Sequence, residues 1–146
     1  MHEQVTMSLE DHPRRRDIET VRQRLSEFNR TFAPADEHRR LCGFLRDLSG
    51  DIVGGLVGGT YWRWLYVEAL WVSSSYRGRG YGRELLRAAE EEAVRRGCRY
   101  VHLDTHSFQA VGFYERMGYQ HAGELRDLPE GYSRYLMWKQ LGAGGL

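Results

Sequence analysis

One stretch constrains this chain more than any other: Leu65-Tyr-Val-Glu-Ala-Leu-Trp-Val72, then Ser73-Ser-Ser-Tyr-Arg-Gly-Arg-Gly-Tyr-Gly82, then a helix-like run from Arg83 to Arg96. From Leu65 to Val72, apolar and aromatic side chains fall on both alternating faces, as in a strand covered above and below. Glu68 is its only charge. Leu85, Leu86, Ala89 and Ala93 then recur at helical spacing, with Arg87, Glu90, Glu91, Arg95 and Arg96 on the other side. Gly97 ends that helix. Between strand and helix, Gly78, Gly80 and Gly82 allow close approach to the main chain and positive φ. A strand, a glycine turn and a helix start in that order aim backbone N–H groups at one spot, and such a spot binds phosphate.

Alternating glycines occur in several kinds of segment. No Gly-Lys-Ser/Thr follows, which speaks against an NTP-binding P-loop, and a dinucleotide fingerprint requires Gly-x-Gly-x-x-Gly rather than the Gly78-x-Gly80-x-Gly82 found after Arg77. An RGG-like RNA-binding segment uses the same letters. The wider pattern, Leu70-x-Val72 followed by Arg77-x-x-Gly80-x-Gly82, resembles the acetyl-CoA signature of the GNAT superfamily of N-acetyltransferases. Phe113-Tyr-Glu-Arg-Met-Gly-Tyr119 is similar to that family's late Tyr-x-x-x-Gly-aromatic segment, at the expected separation.

Bulk properties agree with one domain. With 146 residues, 41% hydrophobic and 28% charged, the chain has material for a single core, expected over residues 1–141 with a flexible tail at 142–146. A formal net charge of +1 gives no support for a nucleic-acid or anionic-membrane partner, and Arg14 to Arg16 reads as a solvated helix start. Cys42 and Cys98 stand far apart without a CxxC or metal-ligand neighbour, so reduced thiols and no metal are expected. Met1-His-Glu-Gln lacks a basic-then-apolar leader, and no apolar run reaches the roughly 20 residues that span a bilayer. A cytoplasmic protein is the expectation.

Taken in order, Val5 to Leu9 reads as a short first strand. Asp11-His-Pro13 then breaks the run and opens a helix in which Ile18, Val21, Leu25 and Phe28 step by three and four to about Phe32. Ala33 to Asp36 is a loop or a short second helix. Strands follow at Arg40–Leu48 and Ile52–Trp62 around the turn Ser49-Gly50-Asp51. Gly54-Gly55 and Gly58-Gly59 mark bending or close backbone approach in the second, with substrate access the lesser reading. Trp62-Arg63-Trp64 turns antiparallel into the Leu65 strand; its tryptophans read as packing residues before acceptor-site walls. Beyond the signature helix come a strand at Tyr100–Thr105, a helix at Phe108–Met117 capped by Ser107 and closed by Gly118, and a hairpin of Tyr119–Leu125 and Tyr132–Trp138. The order β-α-β-β-β-α-β-α-β-β is α/β, with antiparallel hairpins before the signature and a parallel crossover after it. It is similar to the GNAT order over essentially the whole chain, which implies a twisted, mostly antiparallel mixed sheet with a splayed parallel pair at the acetyl-CoA site.

The resemblance also implies the chemistry: acetyl transfer from acetyl-CoA, as co-substrate, to a primary amine by direct attack in a ternary complex. An amine of pKa near about 10.4 arrives charged at neutral pH and must lose a proton. Glu68 is the candidate base, directly or through water, because burial in an apolar strand would strengthen it; Glu68-Ala-Leu-Trp-Val72 also resembles a segment of the polyamine-acetylating branch. The alternative is a carboxylate paired to an arginine. Asp104, His102 and His106 stand in reserve. By resemblance Tyr114 gives its proton to the departing thiolate, although a helix tyrosine between Phe113 and Met117 could equally be core. The family pattern places the oxyanion-binding amide at Leu70, main-chain contacts to pantetheine around Val72, and pyrophosphate on the N–H groups of Arg77, Gly78, Arg79, Gly80, Tyr81 and Gly82. Arg79 and Arg83 either supplement these or are simply solvated. Ser73-Ser-Ser75 replaces a proline and an acid common in the family. Ser107 stands where many members carry an asparagine that orients pantetheine, with Gln109 as the substitute. A small-molecule acceptor is the leading expectation, ahead of a protein N-terminus or lysine and of a non-catalytic acyl-CoA sensor. Homodimers are common in such folds, and no residue here marks an interface.

Overall fold

The structure, a computed structural model, describes residues 4–142. The expected tail at 142–146 lies outside these residues except for Gly142. Among the described residues the order is α1 (Arg15–Asn29), β1 (Arg39–Arg46), β2 (Ile52–Tyr61), β3 (Trp64–Val72), α2 (Tyr81–Arg95), β4 (Tyr100–His106), α3 (Val111–Arg116), β5 (Gln120–Arg126) and β6 (Ser133–Gln140). The chain divides into two compact units, the first ending at Ala35 and the second beginning at Asp36.

In the first unit, Val5–Leu9 forms no strand, contrary to expectation, and Val5, Met7 and Leu9 are almost fully exposed. A strand exists only through hydrogen bonds to a neighbour, and the sheet gains no strand outside β1. Helix α1 begins two residues after Pro13 and stops at Asn29, three residues short of the expected end. Its stripe of Ile18, Val21, Leu25 and Phe28 is present but exposed, and Phe28 meets Phe32 with ring centroids 5.3 Å apart. Ala33 to Asp36 contains no second helix.

The second unit holds one six-stranded sheet in the order β1-β2-β3-β4-β6-β5. Every neighbouring pair is antiparallel except β3 and β4, which α2 joins as a parallel crossover. Trp62 and Arg63 turn β2 into β3 with φ of 43° and 64°, both left-handed, as a two-residue hairpin of right-handed strand twist requires. Leu41, Leu56, Leu65, Val67, Val101, Leu103 and Met137 are buried together with Leu85, Leu86, Ala89 and Ala93, the helical stripe expected for α2. Each such leucine or valine contributes about 1.5–3 kcal/mol by leaving water. Cys98 is a buried core thiol, whose pKa burial pushes up, and Cys42 is exposed; both are free.

Candidate active site

Strand β3 changes neighbours halfway along. Trp64–Val67 pairs in parallel with Tyr100–Leu103 of β4, whereas β2 accompanies β3 to Val72. The parting coincides with a bulge: Gly58 faces Val67 while Val57 faces Ala69, which leaves Glu68 as an extra residue. Gly58 permits it, because a Cβ there would stand 2.4 Å from the Tyr66 carbonyl oxygen. The bending expected of the β2 glycines is thus found at this position. Glu68, expected to be buried, is exposed. It opposes no residue of β2 and lies beyond the last residue pair with β4, so neither strand covers it. Leu70 and Val72 face Leu56 and Gly54 and pack partly buried against the core, and among the described residues their segment has no strand on the β4 side.

The chain then makes a 3₁₀ turn at Ser74–Tyr76 and reaches Gly78 and Gly80 with φ of 75° and 86°. A Cβ on either would meet nothing within 4 Å. Left-handed backbone, rather than crowding, therefore demands glycine here. Gly80 caps α2, which starts at Tyr81 rather than Arg83. Glu84 N–H already bonds the Gly80 carbonyl, so the amides of Tyr81, Gly82 and Arg83 precede the first intrahelical bond and point out of the helix start as anion donors. Arg77 behaves differently from the expectation: its amide donates to Ser74 O and its Nε to Val72 O, tying the loop to the end of β3. Arg79 lies over the Tyr76 ring. Gly80, Arg83, Glu84, Arg87, Ala88 and Glu91 line a shallow cleft of about 330 Å³ along α2.

Helix α3 begins at Val111, later than expected, and Ser107 does not cap it. The Ser107 hydroxyl accepts the Ser133 N–H at 3.0 Å while its own N–H donates to Ser133 O, which fastens the end of β4 to β6. Gln109 Oε1 accepts the His106 N–H at 2.8 Å and the Thr105 hydroxyl at 3.2 Å. Both residues thus hold the β4–α3 turn. Tyr114 is buried with its ring edge-on to Phe113 and Tyr119. Burial raises its pKa to about 12, which keeps the phenol protonated throughout the neutral range. Three elements converge beside it. A Cβ on Gly82 would lie 3.7 Å from the Phe113 ring and 4.0 Å from Val72, so the end of β3, the first turn of α2 and α3 meet at one point.

On the sheet face opposite α2, Tyr66 of β3 stacks on His102 of β4 at 4.9 Å. His102 Nε2 and Tyr61 Oη are 2.7 Å apart. Burial lowers the His102 pKa, against the pull of Asp104, so the ring is neutral at neutral pH. Asp104 Oδ1 accepts Arg134 Nε at 2.8 Å. The Tyr66 pKa is raised by burial first and then by the negative charges of Asp104 and Glu68, with Arg134 opposing. Of the reserve candidates, His102 and Asp104 therefore stand beside the parting strands, whereas His106 stacks on Phe108. The sequence reading missed Tyr66 and Arg134. Tyr66 was legible, two residues before Glu68 in an alternating strand; the pairing of Arg134 with Asp104 depends on β4–β6 register, which no local pattern encodes. No group of three or more His, Cys, Asp or Glu side chains suited to a metal, and no helix long and apolar enough to cross a membrane, occurs among the described residues.

Comparison with known proteins matches residues 5–119 to the model of the acetyltransferase (GNAT) family. Blasticidin-S acetyltransferase of Streptomyces morookaense is 43% identical over 93 residues, 63% of this chain and 68% of that protein. An acetyltransferase of Agrobacterium fabrum is 38% identical over 113 residues, 77% of this chain and 82% of that protein. The crystal structure of an acetyltransferase from Bacillus cereus superposes with a TM-score of 0.84 at 31% identity, covering 92% of this chain and 98% of the other.

Proposed function

The chain belongs to the acetyltransferase (GNAT) family and is an acyltransferase; from that premise we propose that it moves an acetyl group from acetyl-CoA to a primary amine of a small, polar molecule, with both substrates bound at once. One observation carries the reading: the end of β3, the first turn of α2 and α3 meet at Gly82, next to the gap where β3 and β4 part. That convergence puts anion donors, an unpaired strand edge and a protonated phenol around one path.

The residues fit the donor by their chemistry. The amides of Tyr81, Gly82 and Arg83, presented by the left-handed Gly78 and Gly80, hold pyrophosphate, and Arg79, Arg83 and Arg87 add positive charge. The free edge of β3 around Val72 pairs with the pantetheine arm, a task that Ser107 and Gln109 leave to main chain because their own bonds hold the β4–α3 turn. The Leu70 amide receives the negative charge that builds on the carbonyl oxygen. Tyr114, neutral at working pH, supplies the proton to the departing thiolate. Glu68, being exposed, draws the amine proton through water rather than by direct contact. Tyr66, His102 and Asp104 flank the acceptor side. The similarity to blasticidin-S acetyltransferase supports a small-molecule acceptor over a protein one.

Calorimetry with acetyl-CoA, followed by thiol detection over aminonucleosides, aminoglycosides, polyamines, amino acids and peptide N-termini, tests the reading. Heat of association with acetyl-CoA and release of CoA with a non-peptide amine are expected. Absence of that heat removes the donor; turnover confined to peptides moves the acceptor to proteins. Replacing Glu68→Gln should flatten the acidic limb of the pH–rate profile, and an unchanged limb excludes it as the base.

A further inference from the structure

Helix α3 has six residues and no side-chain N-cap. A helix so short is marginal by itself, so the direction of Tyr114 must be set by what grips its ends. One grip is the contact of Phe113 with Gly82. The other is a buried ionic cluster that the acetyl-transfer chemistry does not use. Glu90, on the inner side of α2, is buried, an unusual place for a carboxylate without partners. Its Oε2 accepts the Tyr119 hydroxyl at 2.6 Å and its Oε1 accepts Lys139 Nζ at 2.8 Å. Lys139, on β6, also donates to Met117 O at 3.0 Å, at the C-cap of α3, and its Nζ lies 5.2 Å from the centre of the Tyr119 ring. The Tyr119 N–H in turn donates to the carbonyl oxygen of Tyr114 at 3.0 Å, and the two rings meet edge to face at 5.7 Å.

Every member of this cluster ends on the segment from Tyr114 to Tyr119, on α2 or on β6. The helix whose first turn faces the phosphates and the short helix that carries the phenol are thereby joined at two points, Gly82 with Phe113 and, two turns further along α2, Glu90 with Tyr119 and Lys139. A charged cluster costs more to bury than an apolar one of the same shape, whereas its bonds have fixed lengths and directions that apolar contacts lack. We propose that Glu90, Lys139 and Tyr119 are positioning residues that set the Tyr114 hydroxyl at a fixed distance from the phosphate-binding end of α2, so that it meets the sulfur of the bound donor. This rests on Tyr114 being the proton donor to that sulfur.

The test uses coenzyme A itself and needs no acceptor. A phenol that donates to the sulfur favours thiolate and holds the bound thiol below its pKa in free coenzyme A. Difference absorbance of the thiolate, titrated in the complex, reads this directly. Tyr114→Phe should move the thiol pKa up; Glu90→Gln, which keeps size but removes charge, should move it up by at least about half as much. The double variant should show no more than Tyr114→Phe alone, since the cluster acts through that hydroxyl. Shifts that add, or an unmoved thiol in Glu90→Gln, overturn the proposal, because a cluster that only stabilises the fold alters melting and leaves the thiol alone. If Glu90→Gln does not fold, Tyr119→Phe, which deletes one hydroxyl, is read by the same criteria. A parent complex whose thiol is insensitive to Tyr114→Phe refutes the proton-donor assignment itself, and failure of coenzyme A to bind refutes the proposed function; either also overturns the positioning role of Glu90, Lys139 and Tyr119.

Discussion

The two halves of β3 have the same kind of sequence and opposite uses. Trp64–Val67 is hydrogen-bonded to strands on both sides and contributes Leu65 and Val67 to the core at 0% and 3% exposure. Glu68–Val72 keeps β2 but loses β4, and its Leu70 and Val72 are only partly buried. One extra residue at the bulge separates them. A strand with neighbours on both edges has its N–H and C=O groups satisfied and serves stability; one with a free edge has groups left to bind something else. The same strand is thus paired on both edges for four residues and open on one edge for the next five.

This contrast can be broken in several ways. The largest effect should come from truncating each half: Leu65→Ala should lose about 3–5 kcal/mol of unfolding free energy, and Leu70→Ala no more than about half of that, both measured by denaturant titration. Equal losses would mean that the halves do not differ in packing. Gly58→Ala should follow at about 2–3 kcal/mol, since its Cβ runs into the Tyr66 carbonyl oxygen. It should also weaken acetyl-CoA binding by removing the bulge; a stable variant with parental affinity would show that the bulge does not shape the site. Tyr114→Phe keeps the buried ring and should lower kcat about 100-fold, within the range for a lost general acid, with acetyl-CoA affinity within twofold. Parental turnover would exclude its acid role.

The smallest effect concerns the paired half. The folded pKa of His102 is depressed by burial, so its contribution to stability is present above the unfolded value near about 6.5 and is lost as pH falls through the lower folded value. The melting temperature should therefore drop more steeply below that pH in the parent than in His102→Gln. Parallel curves would show that the imidazole beside Tyr61 and Tyr66 does not contribute to the acid sensitivity.

Much of the fold was legible because it rests on local periodicity. The α2 stripe of Leu85, Leu86, Ala89 and Ala93 and the hairpin at Gly50 follow from side-chain spacing and turn chemistry. The failures share a cause. Val5–Leu9 alternates like a strand yet pairs with nothing, and pairing is not a local property. Ser107 is a good cap by type but is claimed by Ser133 across the sheet. Glu68 sits in an apolar run that suggested burial, yet it is the extra residue of the bulge and is exposed.

By itself, then, the sequence determined which segments are strands and helices in the second unit and that the turn between β3 and α2 needs glycine. All of these are decided within a few residues by sterics and by periodicity. Only the tertiary structure decided that β3 parts from β4 after Val67, that Glu68 faces solvent, and that Glu90, Tyr119 and Lys139 meet beside Tyr114. Those outcomes depend on strand register and on contacts between residues up to 49 positions apart, where the partner, and not the residue's own type, sets the energy.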